Sequence, residues 1–153
     1  MKFMEKQIDY AAIEREAKKD GITKHAVCAA IFREDKVLLV RRTAQDKFRA
    51  GEWELPGGKV EKGEGFKEAL IRETREETNL NALEVNGYIG HSDTPILGTT
   101  MRLYMFLVRA DDSEVILMPR EHQDFMWVAK DRAKEYLFPD QFTRLFLSYV
   151  EAL

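Results

Sequence analysis

Residues 57–80 read GGKVEKGEGFKEALIRETREETNL, and the string Arg72-Glu73-Thr74-Arg75-Glu76-Glu77 within them decides how the chain is understood. On an α-helix Glu73, Glu76 and Glu77 stand at i, i+3 and i+4 and share one face. Like charges crowded into one turn repel, and a plain surface helix does not require them. A hard divalent cation reverses the sign of that energy, because magnesium (Mg²⁺) or manganese (Mn²⁺) takes several oxygen ligands at once. Just upstream, Gly57, Gly58, Gly63 and Gly65 offer bare backbone that can approach a ligand or metal closely. The helix is expected from about Phe66 to Thr78, burying Phe66, Ala69 and Leu70 on the side away from the glutamates. Asn79 can stop it, because Asn follows Gly in tolerance of the left-handed conformation that ends helices.

Two ordinary explanations compete. Glu76-Glu77 alone would belong on a solvated helix face. The Gly-x4-Gly spacing of Gly58 and Gly63 suggests a nucleotide P-loop, but Glu64 follows where that motif needs Lys and Ser/Thr, which excludes it. The joint occurrence of glycines, Glu64, Arg72 and three glutamates at fixed offsets points instead to a metal-assisted site for phosphate chemistry.

Outward from this core, residues 8–20 are expected to be helical, with Asp9 capping, Tyr10, Ile13 and Ala17 in one stripe, and Gly21 closing. Residues 25–33 and 36–42 are expected as two strands joined by a polar turn at Glu34-Asp35. A polar loop runs through Gly51 to a short strand at Trp53-Glu54-Leu55, broken by Pro56. Further strands are expected at 83–91, 99–109 and 124–128, with a weaker apolar run at 114–117. After Pro139, Phe142, Leu145, Phe146, Tyr149, Val150 and Leu153 repeat at helical spacing, which predicts a closing amphipathic helix. Strands interleaved with a few helices suggest a mixed sheet between helices, an α/β class.

The 153 residues fit one domain, 1–153, with a helical N-terminal extension over 1–24. The charge is close to balanced, with 24 basic against 27 acidic residues and a net charge of −3. That argues against a nucleic-acid binder driven by phosphate neutralisation and offers no basic membrane patch. No apolar run reaches transmembrane length, and MKFMEKQIDY lacks the apolar stretch of a signal peptide. The single cysteine, Cys28, lies in the apolar run 26–32 and is expected to be a buried strand thiol rather than a nucleophile. A cytoplasmic location is the corresponding expectation.

Residues 58–80 resemble the signature of the Nudix hydrolases, G-x5-E-x7-R-E-U-x-E-E-x-G-U, where U is a bulky aliphatic residue. Gly58, Glu64, Arg72-Glu73, Glu76-Glu77 and Leu80 fill it. Thr74 departs at an aliphatic position and Asn79 at a glycine, so every charged position is kept. Similarity extends from Leu38-Leu39-Val40-Arg41-Arg42 to Trp127. The resemblance implies an α/β/α sandwich with a mixed β-sheet, and hydrolysis of a nucleoside diphosphate linked to another moiety. It implies that Glu73, Glu76 and Glu77 hold catalytic divalent ions, that one of them takes the water proton, and that Gly57 adds its carbonyl. Glu64 and Arg72 would pair to lock the loop onto the helix. A further metal-ligating glutamate commonly precedes a strand bearing Trp, and Glu121 fits that place. Arg42 is the better phosphate holder of the Arg41-Arg42 pair, Lys59 could reach a phosphate, and Trp53, Glu54 and Leu55 stand where related enzymes contact the base. His25, His91 and His122 show no metal spacing and are expected to be incidental.

The approach Trp-Glu-Leu-Pro-Gly-Gly-Lys resembles the branch that converts (deoxy)nucleoside triphosphates, oxidised ones included, to monophosphate and pyrophosphate. Where some oxidised-guanine enzymes place a base-reading Asn after Phe-Pro, this chain has Phe138-Pro139-Asp140-Gln141, so Asp140 or Gln141 would take that part. Pro95, fifteen residues beyond Leu80, is the one feature favouring ADP-ribose or a nucleotide sugar. A nucleotide-sensing or binding module that keeps the fold without the chemistry would have lost signature glutamates, and none is lost. A small-molecule nucleotide is the expected partner, and the chain is expected as a monomer or a homodimer.

Overall fold

The computed structural model describes residues 7–153. Its centre is β1 (Lys24–Arg33), whose uninterrupted apolar run serves two cores at once. Successive strand residues point to opposite faces. Val27, Ala29 and Ile31 therefore join Leu38, Tyr104, Phe106 and Val108 on one side. Cys28, Ala30 and Phe32 join Val37, Leu39, Met105 and Leu107 on the other.

One edge of β1 runs parallel to β6 (Thr99–Ala110), in register from Lys24 opposite Met101 to Ile31 opposite Val108. The opposite edge is divided. Its first half pairs antiparallel with the short β4 (Gly57–Lys59), and its end turns through a hairpin into β2 (Lys36–Arg42). β2 also carries β3 (Trp53–Glu54) and β7 (His122–Ala129). β5 (Ala82–Ile96) closes the far edge against β6, giving a seven-stranded mixed sheet.

Helices cover both faces. On the first, α1 (Tyr10–Lys19) and α2 (Phe66–Thr78) press Ala17, Phe66, Ala69 and Leu70 into the core. On the second, α3 (Gln141–Glu151) and a 3₁₀ turn (Lys130–Glu135) bring Phe146, Val150 and Ala133. This is the expected α/β/α sandwich. Helix α1 packs on the core of its own chain, and the salt bridge from Arg102 to Asp20 (3.0 Å) pins its end. Residues 1–6 of the expected N-terminal extension lie outside the described residues. Among the described residues no helix is long and apolar enough to cross a membrane.

Helix α2 has the bounds its sequence predicts. It stops at Asn79, in the left-handed conformation at φ 68°, whose amide returns to the Arg75 carbonyl at 2.9 Å. The structure departs from the sequence expectations in four places. Gly57–Lys59 is a strand rather than loop, because the pairing needs a close approach to β1 that glycine alone permits. A Cβ at Gly57 would collide with the Val27 carbonyl. β5 continues past residue 91, so Pro95 lies in a strand opposite Thr100 rather than in a loop. That strand is at the sheet edge, where a missing N–H is tolerated. The run 114–117 forms no strand, although Val115 enters the first core. Leu153 lies beyond α3 and is exposed.

Candidate active site

Arg72 is the hub that joins the glycine loop to α2. Its Nε and Nη2 donate to both oxygens of Glu64, at 2.7 and 2.9 Å, and Nη2 also donates to the Lys59 carbonyl at 3.0 Å. Nη1 donates to Glu73 at 2.8 Å and to Glu76 at 3.2 Å. The Arg72 fork holds the Glu64 carboxyl down at about 2, with help from the Glu61 amide.

The three helix glutamates are not equivalent. Glu76 is exposed. Glu73 is half-buried beneath Gly58, where any Cβ would collide with its carboxylate, so glycine is what lets β4 lie across the helix. Burial pushes the Glu73 carboxyl up, and Glu76 and Glu121 add to the rise against the pull of Arg72. Glu77 is buried at 3% exposure, together with Thr74 and Thr78. This corrects the expectation that all three glutamates face away from the buried side. The cause is β4, whose Gly57 amide donates to the Glu77 carboxylate at 2.8 Å. Burial drives the Glu77 carboxyl well above the usual carboxylate range, and Glu121 raises it further.

Glu121 immediately precedes β7, and its carboxylate meets that of Glu77. Among the described residues Glu77, Glu121 and His122 form a group whose ligand atoms all lie within 4.8 Å of one another. These residues fit a divalent ion on a structural ground. The buried Glu77 carboxylate faces Glu121 and, among the described residues, no Lys or Arg is bonded to it; hard oxygen donors are what Mg²⁺ or Mn²⁺ binds. Glu77 and Glu121 would hold the ion, Glu73 lies close enough to Glu121 to feel its charge, and Glu76 is exposed and bonded to Arg72.

His122 corrects the expectation that the histidines are incidental. It is 2% exposed, and its Nε2 lies 2.8 Å from Glu54 Oε2. A register shift between Arg41 and Arg42 leaves Gln123 as an extra residue in β7 where the strand begins, and His122 turns inward there. No spacing rule finds such a residue, because a bulge and a strand pairing put it beside α2. The only signal in the sequence is its place next to Glu121. His25 and His91 each have Nδ1 in a hydrogen bond to a tyrosine hydroxyl, of Tyr104 (2.8 Å) and Tyr88 (3.1 Å).

Beside the carboxylates opens a cavity of about 250 Å³ between the sheet and α3. Gly57 and Gly58 form the wall next to the glutamates, and Trp53, Leu55, Met105, Phe142 and Phe146 supply apolar surface. Arg42 lines it and donates to both Glu54 oxygens at 3.2 Å and to Asp46 at 2.7 Å. Arg41 instead bonds the Gly51 carbonyl and lies over Trp53. The Lys59 side chain is exposed and does not line the cavity. Cys28 lines it but is buried, and burial pushes its thiol up.

Asp140 is at the mouth with both oxygens engaged. One accepts the Thr143 amide at 2.8 Å as the cap of α3, and the other pairs with Arg49 at 2.7 Å. Burial alone would raise its carboxyl, but the Thr143 amide and Arg49 outweigh burial and hold it low. Arg49 stacks over Phe138 at 4.1 Å and Phe48 at 5.1 Å. Phe48 and Arg49 belong to a polar loop in which no sequence pattern singled them out.

The family model described as NUDIX domain matches residues 23–146. The chain belongs to the Nudix family. It is a Nudix hydrolase, with the Nudix helix, loop and sheet in the arrangement described above. It is 37% identical over 110 residues to the CTP pyrophosphohydrolase of Escherichia coli (strain K12), covering 72% of this chain and 78% of that protein. It is 31% identical over 114 residues to the nucleoside triphosphatase NudI of Enterobacter sp. (strain 638), covering 69% and 81%. Among solved structures, the MutT protein from Methanosarcina mazei Go1 superposes with a TM-score of 0.73 at 29% identity, covering 84% of this chain and 94% of that one. The E. coli ORF135 protein gives 0.73 at 30% identity, covering 86% and 92%.

Proposed function

We propose that this Nudix hydrolase cleaves (deoxy)nucleoside triphosphates to a monophosphate and pyrophosphate with the help of a divalent ion. The observation that carries the reading is the junction at Gly57-Gly58, where an apolar cavity meets the carboxylate group across bare backbone. A base and sugar in the cavity would extend their phosphates over the glycines toward Glu73, Glu77 and Glu121. A divalent ion held there supplies neutralisation of phosphate oxygens and a lowered pKa for bound water. The likeness to a CTP pyrophosphohydrolase and to a nucleoside triphosphatase supports the same substrate class.

The chain's own residues divide the remaining work. Arg72 fixes the glycine loop against α2, which sets the distance between cavity and carboxylates. Arg42, which lines the cavity, supplies a guanidinium for a phosphate or ribose oxygen. Trp53 and Leu55 offer surface for a base. Asp140, held ionised by Arg49, presents a fixed acceptor at the mouth, suited to an N–H on a base edge. Lys59, outside the cavity, would meet only a phosphate that reaches past the glycines.

A panel of nucleoside triphosphates, oxidised nucleotides, ADP-ribose, nucleotide sugars and dinucleoside polyphosphates, run in ¹⁸O-water with products identified by mass spectrometry, tests the proposal. The expected result is a monophosphate and intact pyrophosphate, with the label on phosphorus. AMP and ribose 5-phosphate from ADP-ribose as the preferred reaction would replace it with the nucleotide-sugar reading. No turnover of any diphosphate compound would favour a binding module.

A further inference from the structure

We infer that His122 is itself a ligand of the divalent ion, through Nδ1, and that this nitrogen tilts the site toward Mn²⁺ over Mg²⁺. The inference rests on the divalent-ion reading above and adds to it a donor that the signature does not contain. Three observations carry it. His122 is buried, and among the described residues its Nδ1 has no hydrogen-bond partner, whereas a histidine that merely fills a core has both nitrogens satisfied. That orphaned atom points at the carboxylates, 4.0 Å from Glu77 Oε2. The distance is too long for a hydrogen bond and leaves room for an ion between them.

The third observation is what holds the ring. Nε2 lies 2.8 Å from Glu54 Oε2, and Arg42 grips the same carboxylate. With Nε2 engaged by the Glu54 carboxylate, Nδ1 is the ring nitrogen left to face the carboxylate group. A carboxylate behind an imidazole is the usual way that a metal-ligating histidine is oriented. Mg²⁺ is served by oxygen donors, whereas Mn²⁺, which shares that oxygen preference, stands at the weak end of the first-row series that binds nitrogen, so one imidazole among carboxylates shifts the balance from Mg²⁺ toward Mn²⁺. Glu54 also lines the nucleotide cavity, so the ring connects the metal group to the substrate wall.

The test is pulsed electron paramagnetic resonance on the whole chain loaded with Mn²⁺, prepared with ¹⁴N- or ¹⁵N-histidine, beside competition binding of Mn²⁺ and Mg²⁺. The expected spectrum contains a directly coordinated imidazole nitrogen that changes with ¹⁵N, persists in a H25N/H91N double variant and disappears in H122N. The Mn²⁺-over-Mg²⁺ preference should fall roughly tenfold or more in H122N, and E54Q should weaken Mn²⁺ binding by roughly 10-fold. Where H122N does not fold, the labelled wild type and the double variant decide the matter alone. One stoichiometric Mn²⁺ with normal turnover and no coordinated nitrogen, or a signal that survives H122N, overturns the ligand assignment and leaves the hydrolase reading intact. Absence of both Mn²⁺ binding and turnover overturns both.

Discussion

Thr74 stands where the Nudix signature has an aliphatic residue, and the structure gives that departure a magnitude. The side chain is 1% exposed, and among the described residues its Oγ1 has no hydrogen-bond partner. Burying a hydroxyl unsatisfied costs roughly 1–3 kcal/mol. Thr74→Val removes the hydroxyl and keeps the branched shape. The two residues have similar helix propensities and both are β-branched, so the backbone terms nearly cancel. The bond from Thr78 Oγ1 to the Thr74 carbonyl does not involve the Thr74 side chain and survives. The expected gain is therefore about 1 kcal/mol or more, which for a chain of this size raises Tm by about 2–4 °C per kcal/mol. Urea unfolding followed by circular dichroism should show a higher midpoint at unchanged slope. Turnover should stay at the wild-type level. A T74V protein no more stable than wild type would refute the reasoning, because the hydroxyl would then have to be satisfied in the folded state.

Chelator treatment should abolish turnover, and either Mg²⁺ or Mn²⁺ should restore it; full activity in metal-free protein would remove the metal from the account. Glu77→Gln should lower kcat by roughly 10²-fold or more, as when positioned metal or general-base chemistry is lost. In metal-free protein the same change should stabilise. The folded-state pKa of Glu77 is raised above its unfolded value, so wild-type stability falls as pH rises above about 4.5. The advantage of E77Q in Tm should thus be present at pH 7 and vanish near pH 4, and a variant less stable than wild type at pH 7 would contradict it. Glu64 has the opposite sign: with its folded value near 2 against 4.5, its contribution is full above pH 4.5 and lost as pH falls toward 2. Glu64→Gln should flatten the acid limb of a stability–pH curve over that window, and an unchanged limb would mean that the Arg72 pair contributes nothing there.

The sequence by itself determined the local elements and the charged helix. The 3.6-residue pattern around Phe66, Ala69 and Leu70, closed by Asn79, specifies α2 because helix contacts are local. The apolar run of β1 marks a buried strand for the same reason, and the pattern of glycines, Glu64, Arg72 and glutamates names the family. Tertiary structure alone decided which of those charges are buried and what they face. Gly57–Lys59 carries no strand propensity and becomes β4 because β1 and α2 close on either side of it. That closure buries Glu77 and leaves Glu76 in water, although the two are adjacent in sequence. His122 comes from a bulged strand 45 residues beyond Glu77, and Arg49 meets Asp140 across 91 residues. Local pattern reaches only as far as one helical turn or one strand pleat. Desolvation, carboxylate crowding and an orphaned ring nitrogen depend on which segments the sheet brings together.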